Sequence, residues 1–233
     1  MTQLLISVTS VDEAQIALQN GADIIDLKDP EQGALGALPL EVVAEIVTFV
    51  NAKDVSERKT ISATIGDLPM APALLIQHVM ALSETKVDII KIGFFADTGA
   101  LLTDYQACLD MLSTVSESGV RLIAVLFVEY DYPADLVMAI KNAGFYGVMF
   151  DTVGKNGATF LDYYSTDAMQ AIAQDVQAQG LLFGLAGSLN LQHVALVKSI
   201  APDYIGFRGG VCVNNQRRSA LDSERIRAIS ELI

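Results

Sequence analysis

Tryptophan is absent from this 233-residue chain, and cysteine and histidine occur only twice each. Cys108, Cys212, His78 and His193 form no CxxC pair and no zinc-ligand spacing, which excludes the common zinc sites. Both histidines fall in helical patterns away from strand ends, so neither is expected in the chemistry. The cysteines read as reduced thiols of a cytosolic protein. Basic residues are also scarce. Fifteen Lys+Arg stand against 28 Asp+Glu, a net charge of −13. Such a field disfavours sequence-independent binding to nucleic acid and docking on anionic membranes. The one long stretch without formal charge, residues 176–197, is interrupted by three glycines and several amide side chains, so it is not a membrane span. No basic region precedes Asp12, so a signal peptide is not expected. A cytoplasmic protein with neither nucleic-acid nor membrane partners is the expectation.

What the chain has in quantity is short runs of Ile, Val and Leu. They occupy residues 4–8, 23–27, 60–65, 87–92, 122–128, 147–150, 181–185 and 204–207. Most are near-continuous and not alternating, as expected for strands buried on both faces. Helical patterns lie between and after them, at 11–19, 39–50, 72–83, 104–116, 133–142, 167–179, 191–199 and 223–232. Ser10 is placed to cap the first helix, and glycine recurs where helices end, as in Asn20-Gly21 and Gln179-Gly180. Eight strand–helix units without a linker predict a single α/β domain, a (β/α)8 TIM barrel over residues 1–233. An open doubly wound sheet is the competing architecture, but no GxGxxG or GxxxxGK[ST] motif supports it. The apolar run Met70, Leu74, Leu75, Val79 and Met80 reads equally as barrel packing or as the interface of a homo-oligomer.

Active sites of such barrels lie at the C-terminal ends of the strands. Only eight lysines occur in the chain, and three of them, Lys28, Lys91 and Lys155, fall at this rim. Asp26 and Lys28 are two residues apart and share a strand face. Lys91 sits among isoleucines in Val-Asp-Ile-Ile-Lys-Ile-Gly, where an ammonium without a task would be costly to bury. Asp67 and Asp151 end strands 3 and 6. Lysines interleaved with these aspartates compete with any cation for the carboxylates, so the expected site has no metal and no cofactor, and its reactive group is a lysine amine. Gly187-Ser188 follows strand 7 and Gly209-Gly210 follows strand 8, at the corner where barrels frequently hold a phosphate. Arg208, Arg217 and Arg218 add charge there, and Lys155 could serve a phosphate from the far side.

These residues also carry a resemblance. The segments Ala22-Asp23-Ile24-Ile25-Asp26-Leu27-Lys28-Asp29-Pro30, Gly33-Ala34-Leu35-Gly36-Ala37, Ser62-Ala63-Thr64-Ile65-Gly66-Asp67-Leu68-Pro69 and Asp88-Ile89-Ile90-Lys91-Ile92-Gly93 resemble the (5-formylfuran-3-yl)methyl phosphate synthases of methanofuran biosynthesis. Asp151-Thr152 with Lys155, Leu185-Ala186-Gly187-Ser188 and Arg208-Gly209-Gly210 extend the likeness almost to the C-terminus. The resemblance implies a lyase that joins two molecules of glyceraldehyde 3-phosphate into 4-(hydroxymethyl)-2-furancarboxaldehyde phosphate, with loss of one phosphate and two waters. It implies Lys28 as the Schiff-base lysine, Lys91 as proton acceptor, and Asp26, Asp151 and Lys155 as further site residues. Residues 213–219, helix 3 and the region Glu129-Tyr130-Asp131-Tyr132 depart from the family pattern.

Two other readings compete. Asp26-x-Lys28 is similar to the strand-end motif of phosphate-binding barrel decarboxylases and isomerases, in which the lysine stays charged. A non-catalytic barrel that binds a phosphorylated metabolite is the other, but phosphate binding alone does not call for the paired aspartates.

Overall fold

The computed structural model describes residues 2–53, 58–95, 99–154 and 157–233. Eight parallel strands close into a barrel in chain order, with β8 pairing back onto β1. They are β1 Gln3–Val8, β2 Ile24–Leu27, β3 Thr60–Thr64, β4 Ile89–Gly93, β5 Arg121–Phe127, β6 Gly147–Asp151, β7 Leu182–Leu185 and β8 Tyr204–Phe207. Eight α-helices surround it: α1 Val11–Gln19, α2 Leu40–Asn51, α3 Pro72–Ser83, α4 Leu102–Glu117, α5 Leu136–Asn142, α6 Thr166–Ala178, α7 Val194–Ser199 and α8 Ser223–Ser230. The chain is therefore a (β/α)8 TIM barrel.

The two-residue period of each strand sorts its side chains. Ile25, Leu27, Ile61, Ala63, Ile90 and Ile92 face outward and join the large core between barrel and helices. Leu5, Ile24, Ile89, Ile123, Met149 and Tyr204 face inward and form a second, smaller core inside the barrel. Both strand faces are dry, which is why the runs are continuous and not alternating. Each fully buried Leu, Ile or Val in these layers contributes about 1.5–3 kcal/mol of transfer free energy.

Local chemistry sets the element ends. Ser10 caps α1, its hydroxyl accepting from Glu13 N–H. Pro72 stands in the first turn of α3, where its missing N–H is harmless. The expected helix at 191–199 is two elements, a 3-10 turn Leu191–His193 and then α7, because Asn190 caps the turn through Gln192 N–H. Helix α5 starts at Leu136, after a turn in which Leu136 N–H bonds to Pro133 C=O. In α3, Leu75 and Val79 are core residues, whereas Met80 is exposed.

Three aspartates lock the N-terminal end of the barrel. Asp23, Asp88 and Asp203 immediately precede β2, β4 and β8. Their carboxylates accept backbone N–H groups of Leu4, Ile61 and Phe183, each on the preceding strand, at 3.1, 2.8 and 2.7 Å. The local pattern is shared: Ala-Asp-Ile-Ile-Asp, Val-Asp-Ile-Ile-Lys and Pro-Asp-Tyr-Ile-Gly. Among the described residues, no helix is long and apolar enough to cross a membrane.

Candidate active site

A cavity of about 520 Å³ opens at the C-terminal end of the barrel. Strands β2, β4 and β6 supply its charged floor. Asp26 from β2 and Lys28 just after it line the cavity, as do Lys91 from β4 and Asp151 from β6.

Two lysine–aspartate pairs cross this floor. The inner pair joins Lys91 Nζ to Asp26 Oδ1 at 2.7 Å, with the side chains 3% and 1% exposed. Ser62 Oγ donates to the same Asp26 oxygen at 2.7 Å, and Ser7 Oγ donates to Oδ2 at 2.8 Å. Strands β1, β3 and β4 thus all hold one carboxylate, which fixes its rotamer and satisfies a charge that burial would otherwise penalise. The outer pair joins Lys28 Nζ to Asp151 Oδ2 at 3.3 Å, with 10% and 4% exposure. Thr152 N–H donates to Asp151 Oδ1 at 2.7 Å. The outer pair is longer and more accessible from the cavity.

Burial pushes the Lys91 amine below the usual lysine range. Asp26 and Asp151 oppose that shift, and the neighbouring Lys28 ammonium adds to it. Lys91 is thereby moved toward the neutral form that can accept a proton.

The opposite wall is made by the segments after β7 and β8. Gly187 has φ +94° and Ser188 φ +52°, so two consecutive residues take the left-handed conformation. A Cβ on Gly187 would meet Thr152 N at 2.9 Å, so only glycine fits between these strand ends. Gly210 packs its Cα face against Leu189 C=O, where a Cβ would lie 2.2 Å from the oxygen. The turn after β8 is therefore wedged directly onto the turn after β7. Ser188, Gly209 and Gly210 line the cavity beside His193 and Arg217.

Arg208 lines the cavity, and its guanidinium donors are engaged within the protein. Its Nε donates to Arg217 C=O, Nη1 to Ser7 C=O and Glu13, and Nη2 to Glu13 and Ser219 C=O. Glu13 in turn accepts from Thr9 N–H and Oγ1. With its donor fork filled by Glu13 and three carbonyls, Arg208 ties β8 to β1 and α1 and holds the loop 213–219 in place. Arg208, Arg217 and Arg218 all line the cavity; Arg217 donates from Nη2 to Gly33 C=O at 2.9 Å, and Arg218 pairs with Glu31.

His193, expected away from the site, lines the cavity. Its Nδ1 accepts Asn190 N–H at 3.1 Å, which leaves the proton of a neutral ring on Nε2 as a donor. The signal was present in the sequence: Asn190 and His193 have the spacing of a capped turn directly after the Gly187-Ser188 segment. Asp67, weighed as a cation ligand, anchors a loop instead. Its two oxygens accept Ala34 and Leu35 N–H at 2.7 and 2.6 Å, which fastens the Gly-Ala-Leu-Gly-Ala segment after β2. Lys155 lies outside the described residues. Among the described residues, no group of three or more His, Cys, Asp or Glu could hold a metal ion.

The fold and the sequence both have relatives. Phosphoribosyl anthranilate isomerase from Thermus thermophilus superimposes with a TM-score of 0.66 at 14% identity, covering 99% of this chain and 98% of that one. KGPDC from Streptococcus mutans superimposes with a TM-score of 0.66 at 12% identity, covering 99% and 96%. At that identity the likeness speaks to the barrel alone. Sequence similarity reaches further. A Methylorubrum extorquens protein provisionally named a (5-formylfuran-3-yl)methyl phosphate synthase is 39% identical over 96% of this chain and 88% of its own length. The Archaeoglobus fulgidus (5-formylfuran-3-yl)methyl phosphate synthase is 31% identical, with 99% of each chain covered. The Methanocaldococcus jannaschii enzyme of the same name is 29% identical, with 98% of each covered. The family profile for 4-HFC-P synthase matches residues 4–230, and the chain belongs to that family of enzymes.

Proposed function

We propose that this enzyme condenses two molecules of glyceraldehyde 3-phosphate into 4-(hydroxymethyl)-2-furancarboxaldehyde phosphate, as a lyase acting in the cytoplasm within methanofuran biosynthesis. The observation that carries the reading is the convergence of the Lys91–Asp26 and Lys28–Asp151 pairs on the floor of one cavity. Lys28 is the nucleophile. Its neutral amine adds to a triose carbonyl, and loss of water from the carbinolamine leaves an iminium. That cation acidifies the adjacent C–H, and Lys91, whose pKa burial lowers, takes the proton in its neutral form. The resulting enamine attacks the aldehyde of the second triose. Asp151, beside Lys28, is positioned to receive the proton that Lys28 gives up and to return it to departing water. Hydrolysis of the iminium frees the product aldehyde and the Lys28 amine, and a net loss of one phosphate and two waters balances two trioses against one furan.

The two substrate phosphates need donors in a protein of net charge −13. Backbone N–H groups of Ser188, Gly209 and Gly210, together with Arg217 and His193 Nε2, form the wall suited to one phosphate. Lys155 serves the other in this reading. No metal or cofactor is required, because the iminium supplies the electron sink.

One observation favours a second reading. Lys28 Nζ lies 3.3 Å from Asp151 Oδ2, a pairing that also suits the charged strand-end lysine of decarboxylases and isomerases. Reduction distinguishes them. Incubation with glyceraldehyde 3-phosphate and borohydride is expected to lock substrate onto the peptide carrying Lys28, and Lys28→Arg is expected to abolish both adduct and turnover, since guanidinium is no nucleophile. Turnover with no adduct would overturn the iminium and favour the charged lysine. An adduct on Lys91 would exchange the roles of the two lysines.

A further inference from the structure

A second cavity, of about 50 Å³, lies on the barrel axis below the floor of the active site. Its upper boundary is Lys91, which lines both cavities, and its lower boundary is the N-terminal rim at Thr60, Arg121 and Tyr146. Arg121 and Tyr146 are exposed at that rim, so the cavity leads toward solvent on the face opposite the active site. From its side, Tyr204 enters from β8. The ring lies in the space left by Gly184 on β7, where a Cβ would come within 2.2 Å of the ring carbon Cζ. Tyr204 Oη is buried and has no hydrogen-bond partner among the described residues.

Leaving a phenol hydroxyl dry and unpaired costs about 1–3 kcal/mol, whereas removing the hydroxyl for Phe is nearly free of penalty at such a position. A polar group retained there calls for a partner. About 10–15 Å³ of such volume admits one water, so this cavity has room for on the order of three. The lining residues with polar side chains are Tyr204 and Lys91 at the inner end and Gln3, Thr60, Arg121 and Tyr146 toward the rim.

We propose that ordered water in this cavity bridges Tyr204 Oη and Lys91 Nζ, and that Lys91 exchanges its proton with solvent through the N-terminal face of the barrel. Tyr204 is then a positioning residue, acting through water on Lys91. The arrangement solves a problem of the site above. With substrate filling the active-site cavity, a proton taken by Lys91 has no free way out through the mouth, and the route below stays open.

Charged and titratable groups surround Lys91 from several strands. Asp26 and Lys28 come from β2, Asp151 from β6, Tyr204 from β8, and Arg121 from β5 lies at the lower opening. Asp26 also raises the Tyr204 phenol above its ordinary value, after burial itself, so the hydroxyl remains protonated and acts as a donor. Water that accepts from Tyr204 and from the Lys91 ammonium favours the charged lysine. Its loss should lower the Lys91 pKa further.

The inference depends on the proposed function only in its kinetic consequence, and the test keeps the two apart. Eight lysines make 15Nζ spectra of the whole enzyme tractable, with Lys91→Met assigning the signal. In Tyr204→Phe the Lys91 pKa is expected to fall by about one unit, the size expected for losing one hydrogen bond from a charged group. Leu182→Phe, which fills the cavity from β7, should slow exchange of the Lys91 amine protons with solvent. A crystal structure of the wild-type enzyme should show water within hydrogen-bonding distance of both atoms. A dry cavity, or a Lys91 titration unmoved by Tyr204→Phe, overturns the inference. If the titration moves while the acid limb of the kcat–pH profile stays in place, the water bridge stands and Lys91 is not the proton acceptor, which overturns the proposed function instead.

Discussion

The two lysine–aspartate pairs on the floor of the barrel are chemically alike and physically different. Lys91–Asp26 is short, 3% and 1% exposed, and its carboxylate is held by two serine hydroxyls from flanking strands. Lys28–Asp151 is longer and partly open to the cavity. An amine that must form a covalent bond needs room and a partner it can leave, which describes the outer pair. An amine that must only take and release a proton is served by fixed geometry and a depressed pKa, which describes the inner one. In the proposed mechanism one barrel obtains a nucleophile and a base from the same two residue types by setting them at different depths.

The comparison breaks most visibly at the inner lysine. Lys91→Met is expected to lower kcat by about 10²–10⁴-fold with the fold intact, because it removes the proposed proton acceptor. Steady-state kinetics measures this, and a variant retaining more than a tenth of wild-type kcat would contradict the assignment. A pH arm follows from the direction of the Lys91 shift. Its folded pKa lies below the ordinary lysine value, so the folded state holds fewer protons than the unfolded chain in the window between the two. Stability from this group is complete above the ordinary lysine value and is lost as pH falls through the lowered one. Denaturant midpoints of wild type relative to Lys91→Met should therefore rise as pH increases from neutral toward that value.

Asp26→Asn tests the partner. Breaking a buried pair costs about 3–5 kcal/mol, so a large drop in the urea midpoint is expected. The equivalent change in the outer pair, Asp151→Asn, should cost less stability and more activity, since that pair is nearer the cavity. Equal stability losses for both variants would remove the distinction of depth.

His193→Gln sharpens the comparison from the opposite wall. Loss of the donor proposed for one phosphate is expected to raise KM by about tenfold with kcat little changed. Unchanged KM would leave His193 outside the chemistry, as its helical pattern suggests. The smallest effect is expected at Arg208→Lys. An ammonium cannot reproduce the fork that meets Glu13 and three carbonyls, so stability should fall by about 1–2 kcal/mol while KM stays within a few-fold.

The barrel itself was legible because burial on both faces writes each strand as an unbroken Val, Ile and Leu run, and the charged floor because Asp26, Lys28 and Lys91 interrupt those runs. The rest was hidden by distance along the chain. Arg208 reads as a free cation until Glu13, 195 residues earlier, fills its fork. Asp67 reads as a ligand until the Ala34 and Leu35 amides occupy both its oxygens. His193 was obscured by a different cause: one helical pattern covers two elements, and the histidine ends the first of them at the cavity. Tyr204 looked like an ordinary strand aromatic because nothing in a linear sequence says that Gly184 leaves space for its ring.

The clamp at Asp88 has a consequence at the far end of its strand. A strand shifted by one residue presents the other half of its side chains to the barrel interior. For β4 that would turn Lys91 into the helix layer and bring Ile90 or Ile92 into the chamber. Asp88 Oδ2 on Ile61 N–H denies that slip from the bottom rim, three residues below the amine. Asp23 does the same for β2, three residues below Asp26. The carboxylates at the closed end thus act as alignment pins, and the identity of the groups that face the cavity is guaranteed by residues at its opposite end.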